Sequence, residues 1–254
     1  MTDPVFRVVI PARYASTRFP GKALAELGGK PVILHVHDAA LGSRADEVIV
    51  ATDDERIADV CKASGVEVAM TRAYHESGTD RVAEVAEQRK WPADSIVVNV
   101  QGDAPLIPSA SIDQVAKLLA DNVSADIATL CSAITDPTQF QDMNVVKVVF
   151  DRTGRALYFS RASIPAISHG TTDAEETVET WRHIGLYAYR VGSLNRLARM
   201  LPCALEKREK LEQLRALWHG MEIRVGIATE VHGPDVDTPE DLVAVERYFR
   251  SKSD

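Results

Sequence analysis

Three permanent cations fall within ten residues near the start of the chain. They are Arg13, Arg18 and Lys22, in the run Pro11-Ala12-Arg13-Tyr14-Ala15-Ser16-Thr17-Arg18-Phe19-Pro20-Gly21-Lys22. Small and hydroxyl residues between them let backbone amides approach an anion closely. Two guanidinium forks and one ammonium suit the oxygens of a triphosphate, with the lysine near a leaving diphosphate. The run lacks Gly-x-Gly-x-x-Gly, and Gly21-Lys22 is followed by Ala23 without Walker spacing. Taken alone it reads equally as a solvated basic turn paired with surface acids.

Two acids are placed for a divalent cation. Asp103 follows the apolar run Ser95 to Val100 after the turn Gln101-Gly102. Magnesium takes one or two carboxylates plus phosphate oxygens and water, although an aspartate in a Gly-Asp pair also serves as a plain turn residue. Asp237 precedes Thr238-Pro239-Glu240-Asp241, in which Thr238 is the expected N-cap, Pro239 the first helical residue and Asp241 the capping-box acid. Asp237 then stands just outside the cap, free to meet a ligand.

The elements that must position these groups alternate. Phe6 to Pro11 predicts a first strand of a buried parallel sheet, and the basic run leaves its carboxyl end, where open α/β sheets bind ligands. Helix is predicted from Pro31 to Leu41, with Ile33, Val36, His37 and Ala40 on one face, and again from Asp54 to Ser64 and from Thr79 to Lys90. Strands are expected at Glu47 to Thr52, Val66 to Met70 and Ser95 to Val100, then a helix from Ser111 to Ala120. This alternation implies right-handed crossovers and a mostly parallel, Rossmann-like sheet with helices on both faces.

Beyond Asp126 the character shifts. Val145 to Phe150 and Ala156 to Ser160 bracket an Asp-Arg-Thr-Gly turn, the pattern of an antiparallel hairpin. A strand at Ile184 to Arg190, a helix from Leu205 to Trp218, a strand at Ile223 to Ala228 and a helix from Pro239 to Arg250 complete the prediction. Ala166 to Thr180 is polar and reads as a mobile or partner-contacting excursion. One domain spanning 1–254 is expected, with an inserted hairpin lobe at about 145–190.

Composition narrows the classes. An apolar fraction of 45% and a charged fraction of 26% are those of a soluble globular domain of this length, 254 residues. A net charge of -8 argues against nucleic acid on a broad surface, though not against a small basic pocket. No apolar run approaches the roughly 20 residues that span a bilayer, and Met-Thr-Asp-Pro lacks a signal-peptide build, so no membrane role and a cytoplasmic address are expected. Cys61, Cys131 and Cys203 are odd in number and widely spaced, which argues against a disulfide framework or zinc knuckle.

The basic run resembles the nucleotide-binding signature of sugar nucleotidyltransferases, in the form Pro-Ala-Arg-x-x-Ser-x-Arg-x-Pro-x-Lys typical of cytidylyltransferases acting on 3-deoxy-manno-octulosonate (Kdo). Five further segments resemble that family in the same order. They are Ala51-Thr52-Asp53; Met70-Thr71-Arg72 with His75-x-Ser77-Gly78-Thr79; Asn99-Val100-Gln101-Gly102-Asp103; Leu157-Tyr158-Phe159-Ser160-Arg161; and Leu211-Glu212-Gln213-Leu214-Arg215 with Val236 to Leu242. The likeness runs from Val8 to Leu242. One departure is Ala104, where the family usually has an acid before proline.

The resemblance implies a nucleotide-diphospho-sugar transferase type of fold and transfer of CMP from CTP to Kdo, with Mg²⁺ held by Asp103 and Asp237. It implies CTP contacts from Arg13, Ser16, Arg18, Lys22, Arg72, Ser77, Gln101 and Asp103. Sugar contacts are implied for Gln101, Arg161, His183, Tyr187, Glu212 and Asp237, with Arg161 or Arg18 meeting the sugar's carboxylate. Arg13, Lys22, Asp103 and Asp237 are the implied catalytic set, and a homodimer in a Gram-negative cell's lipopolysaccharide assembly is the implied setting. Another acid sugar as acceptor and a nucleotide-binding protein without catalysis are the rival readings. A glycosyltransferase is disfavoured, because Gln101-Gly102-Asp103 stands where an Asp-x-Asp motif is usual.

Overall fold

In a computed structural model, residues 3–16, 18–166 and 179–253 are described. The predicted excursion at Ala166 to Thr180 falls mostly outside them. Strand β1 (Phe6–Ala12) leads through the basic loop to the two-residue strands β2 (Glu26–Leu27) and β3 (Lys30–Pro31), which pair with each other. Then follow α1 (Val32–Leu41), β4 (Glu47–Thr52), α2 (Glu55–Ala63), β5 (Val68–Met70), α3 (Gly78–Gln88), β6 (Ile96–Asn99) and α4 (Ser109–Asp121). The second half comprises β7 (Ile127–Ala133), α5 (Pro137–Gln141), β8 (Lys147–Phe150), β9 (Ala156–Ser160), β10 (Trp181–Arg190), α6 (Val191–Ala198), α7 (Ala204–Glu209), α8 (Gln213–Trp218), β11 (Ile223–Ile227) and α9 (Pro239–Ser253).

The main sheet runs β11-β7-β10-β6-β1-β4-β5. β1 pairs in parallel with β4 and β6, and β4 with β5, as the βαβ pattern requires. Val8, Val9, Ile10, Ile49, Val50, Val97 and Val98 are fully buried, because helices cover both faces of the sheet. β10 runs antiparallel between β6 and β7, and the β8–β9 hairpin extends from it. The predicted inward face of α1 is buried at Ile33, Val36, His37 and Ala40.

Several expectations change, helices α5 and α6 among the unpredicted elements. The helix predicted from Leu205 to Trp218 is broken, because Lys210 takes a left-handed conformation (φ 57°) and closes α7 through its N–H to the Glu206 carbonyl. Strand β7 was not expected; its Ile127 to Cys131 run is buried between β10 and β11, and periodicity in so short an apolar run does not distinguish strand from helix.

Candidate active site

The carboxyl ends of β1 and β6 meet at one cleft. Gly102 is required there: a Cβ would lie 2.7 Å from the Pro11 carbonyl oxygen. The basic loop turns back at Gly21, which has φ +75° and starts the short turn holding Lys22. From the other side comes the N-terminus of α3, where the Ser77 hydroxyl accepts from Asp80 N–H and the Asp80 carboxylate accepts from Ser77 N–H. The start of α9 completes the wall. Thr238 and Asp241 form the expected cap, and the Asp103 carbonyl accepts from Val236 N–H at 2.8 Å.

These elements enclose a cavity of about 350 Å³ lined by Arg13, Ser16, Arg18, Lys22, Ser77, Gln101, Asp103 and Asp237 among others. The two aspartates, far apart in the chain, converge on one cation. The Lys22 ammonium donates to Asp103 and, at 3.0 Å, to Asp237. Arg18 adds an ion pair to Asp237 at 2.9 Å. Burial alone lowers the Lys22 pKa, but the charge and hydrogen bonds of Asp103 and Asp237 outweigh it and leave it raised. Lys22 is therefore a fixed positive charge over the working pH range.

Three lining residues were not among the predicted contacts, although His75 stands in the quoted segment that carries Ser77. Arg81 is buried, donates to Thr71 and pairs with Asp53 at 3.2 Å, which explains the Ala51-Thr52-Asp53 segment as an anchor for a cation. His75 is bonded through Nε2 to the Glu84 carboxylate, which also accepts from Arg72 N–H. Glu76 lies beside it. Their signal was present in the segment that carries Ser77, but a helix interior acid such as Glu84 reads as solvated from sequence.

The remaining predicted residues sit elsewhere. Arg72 faces a neighbouring open groove, where it donates to the Tyr74 hydroxyl. Glu212 lies beneath the α3 terminus and accepts from Thr79 Oγ1; burial pushes its carboxyl up, partly offset by Thr79 and Ser77. Tyr187 stacks on Tyr189 and packs against His183, and burial raises both phenols. His183 meets Thr129 Oγ1 at 3.0 Å, and burial, with Arg182 adding, holds its imidazole down at about 3. Arg161 lines neither this cavity nor the smaller one beside it: its guanidinium donates to the Glu209 and Met143 carbonyls, so in this arrangement it braces the hairpin.

That smaller cavity, about 90 Å³, adjoins the first at Gln101 and is lined by Ala104, Ser132, Arg182, His183, His232 and Asp235 among others. Asp235 is exposed at the rim of this cavity, and the protein packed around its carboxyl, then Asp103, moves it up to about 7 against the pull of Arg182.

For a divalent cation the donor set is two convergent carboxylates. Among the described residues no group of three or more His, Cys, Asp or Glu gathers as a metal cage. Two carboxylates with phosphate and water completing the shell match magnesium, so Asp103 and Asp237 fit that ion.

Comparison with known proteins agrees with this geometry. Residues 7–223 match the family model described as "Cytidylyltransferase". The chain is 53% identical over 248 residues to the 3-deoxy-manno-octulosonate cytidylyltransferase of Thioalkalivibrio sulfidiphilus (strain HL-EbGR7), covering 97% of this chain and 99% of the relative. It is 52% identical over 250 residues to that of Vibrio cholerae serotype O1 (strain M66-2), covering 98% and 99%. A solved CMP:2-keto-3-deoxy-manno-octonic acid synthetase complexed with CTP superposes with a TM-score of 0.89 at 39% identity, covering 98% of this chain and 99% of that one. A cytidylyltransferase from Leptospira borgpetersenii serovar Hardjo-bovis (strain JB197) shares the fold, with a TM-score of 0.60 at 18% identity and 98% and 96% coverage. A cradle of cations facing two joined aspartates, on a sheet of this topology and with relatives this close over their full length, leads to one assignment: the chain belongs to the 3-deoxy-manno-octulosonate cytidylyltransferase family.

Proposed function

We propose that the chain transfers CMP from CTP to 3-deoxy-D-manno-octulosonate, giving CMP-Kdo and diphosphate. The observation that carries the reading is the convergence of Asp103 and Asp237 on Lys22 inside a cavity also lined by Arg13 and Arg18. Arg13, Arg18 and Lys22 hold the triphosphate and stabilise charge that builds on the departing diphosphate. Ser16, Ser77 and Gln101 orient the nucleotide at the α3 terminus, with Arg72 at its outer edge. On the acceptor side Gln101 and His183 line the smaller cavity, Tyr187 packs behind His183, Glu212 lies beneath the α3 terminus and Asp237 lines the main cavity.

The sugar's anomeric hydroxyl attacks the α-phosphate, and catalysis rests on positioning and charge rather than on a covalent protein intermediate. Asp103 and Asp237 would hold Mg²⁺, which when bound polarises the α-phosphate and acidifies the attacking hydroxyl. In the same reading the chain forms a single domain whose hairpin lobe serves the sugar side and a homodimer contact. The enzyme works in the cytoplasm and its product feeds lipopolysaccharide assembly. No helix among the described residues is long and apolar enough to cross a membrane.

Diphosphate release measured with each common nucleoside triphosphate, with and without Kdo and Mg²⁺, tests the reading. Release is expected only with CTP, Kdo and Mg²⁺ together; release without Kdo, or equal release with UTP, overturns it.

A further inference from the structure

We infer that the small cavity beside Gln101 receives the exocyclic hydroxyl arm of the acceptor sugar, with Asp235 and Arg182 as the residues that select it. The inference rests on the proposed cytidylyl transfer to an acid sugar and names a subsite of that reaction.

Position comes first. The cavity adjoins the nucleotide cavity at Gln101, and the Asp103–Ala104 turn stands between them. Its far wall is the segment that two residues later supplies Asp237, tied to the turn by the Val236 N–H to Asp103 carbonyl bond. A sugar whose anomeric hydroxyl lies by Asp103 and Asp237 therefore has this recess within reach of its own substituents.

Size decides which part enters. A cavity of about 150 Å³ takes one benzene ring, so this recess of about 90 Å³ is too small for a pyranose ring or a base. It accommodates a short arm of two carbons with their hydroxyls. Residue 104 is alanine, so only a methyl group stands on that part of the wall.

Charge decides which chemistry enters. Arg182 and Asp235 both line the recess, one a donor of hydrogen bonds and the other an acceptor. A carboxylate placed there meets Arg182 but also Asp235, with Asp103 and Asp237 nearby, so it is repelled. A neutral diol donates to Asp235 and accepts from Arg182, leaving no charge unbalanced. The two imidazoles on the wall are already engaged, His183 with Thr129 and His232 with Ser111 Oγ at 2.9 Å, so they shape the recess without adding charge.

The test compares Kdo with the six-carbon 2-keto-3-deoxy acid that lacks the arm, using the full chain with CTP and Mg²⁺. The six-carbon acid is read by its KM or, where it is not turned over, by its inhibition constant against Kdo. Asp235→Ala is expected to raise KM for Kdo about tenfold or more, the worth of a hydrogen bond to a charged group. It should leave KM for CTP and the constant of the six-carbon acid within about twofold. Ala104→Leu, which fills the recess, should raise KM for Kdo in the same way, and thermal melting checks that both variants fold. Equal weakening of the two acids by Asp235→Ala, or unchanged KM for Kdo in both variants, overturns the inference. Failure of the unaltered chain to release diphosphate with Kdo sinks the proposed function instead, and is seen before any variant is measured.

Discussion

Lys22 Nζ lies 3.0 Å from Asp237 Oδ1 while also bonding Asp103, so a single ammonium ties the loop after β1 to the turn after β6 and to the threshold of α9. That lysine pairs with two carboxylates and, in the proposed reading, also presents a cation to the nucleotide.

Lys22→Ala should lower turnover about 10²–10³-fold, the usual loss for one donor aimed at developing charge. The two aspartates then face each other without their ammonium, so added Mg²⁺ should raise the melting temperature of the variant more than that of the unaltered chain. Steady-state kinetics and paired thermal melts check both; near-normal turnover would remove Lys22 from the mechanism.

Asp103→Asn should strongly lower both activity and the response to magnesium, because it removes one of the two carboxylates proposed to hold the ion. Asp237→Asn should act alike and also loosen Arg18, which loses its pair. Calorimetric titration with Mg²⁺ and CTP reads the binding directly; wild-type uptake in either variant contradicts the assignment.

Gly102→Ala should disturb the site more than an exposed loop change does. The new methyl would lie 2.7 Å from the Pro11 carbonyl oxygen, so the ends of β1 and β6 must separate. A stability loss of about 1–3 kcal/mol is expected, together with a raised KM for CTP. Urea denaturation and kinetics measure the two effects.

Stability should fall on mild acidification. Burial lowers His183 to about 3 and His232 to about 4 from the ordinary 6.5, with Arg182 adding to each. As pH drops through 6.5 the unfolded chain takes up protons that the folded chain refuses. The stabilisation is therefore complete above that value and is lost progressively toward the lower pair. At pH 5 each imidazole costs on the order of 2 kcal/mol. Urea midpoints at pH 7.5 and pH 5 show the slope, and His183→Gln should remove its share; an unchanged slope in that variant sets the argument aside.

The elements nearest the nucleotide cavity were the most legible in the sequence. β1, β4, the cap at Thr238 and the turn before Asp103 each announce themselves through local chemistry: β-branched runs, a capping box, a Gly-Asp turn. The smaller cavity beside Gln101 was less legible because it depends on distant parts of the chain. Antiparallel β10 brings Arg182 and His183 to the cavity wall, and no local pattern in Trp181 to Arg190 reveals that it lies between β6 and β7. Glu84 was overlooked because an acid on a helix reads as solvated until the fold encloses it, and Asp235 because nothing in its loop marks it as lining a cavity. The break at Lys210 needed a left-handed backbone that lysine rarely adopts, and no glycine marks it.

Because Thr238 and Asp241 lock the first turn of α9 directly behind Asp237, that carboxylate is only as well placed as the last helix is well formed. Fraying of the first turn of α9 on warming should release it, so heat inactivation is expected to begin below the melting point of the sheet, and a shortened chain that stops after β11 would lose half of its acid pair.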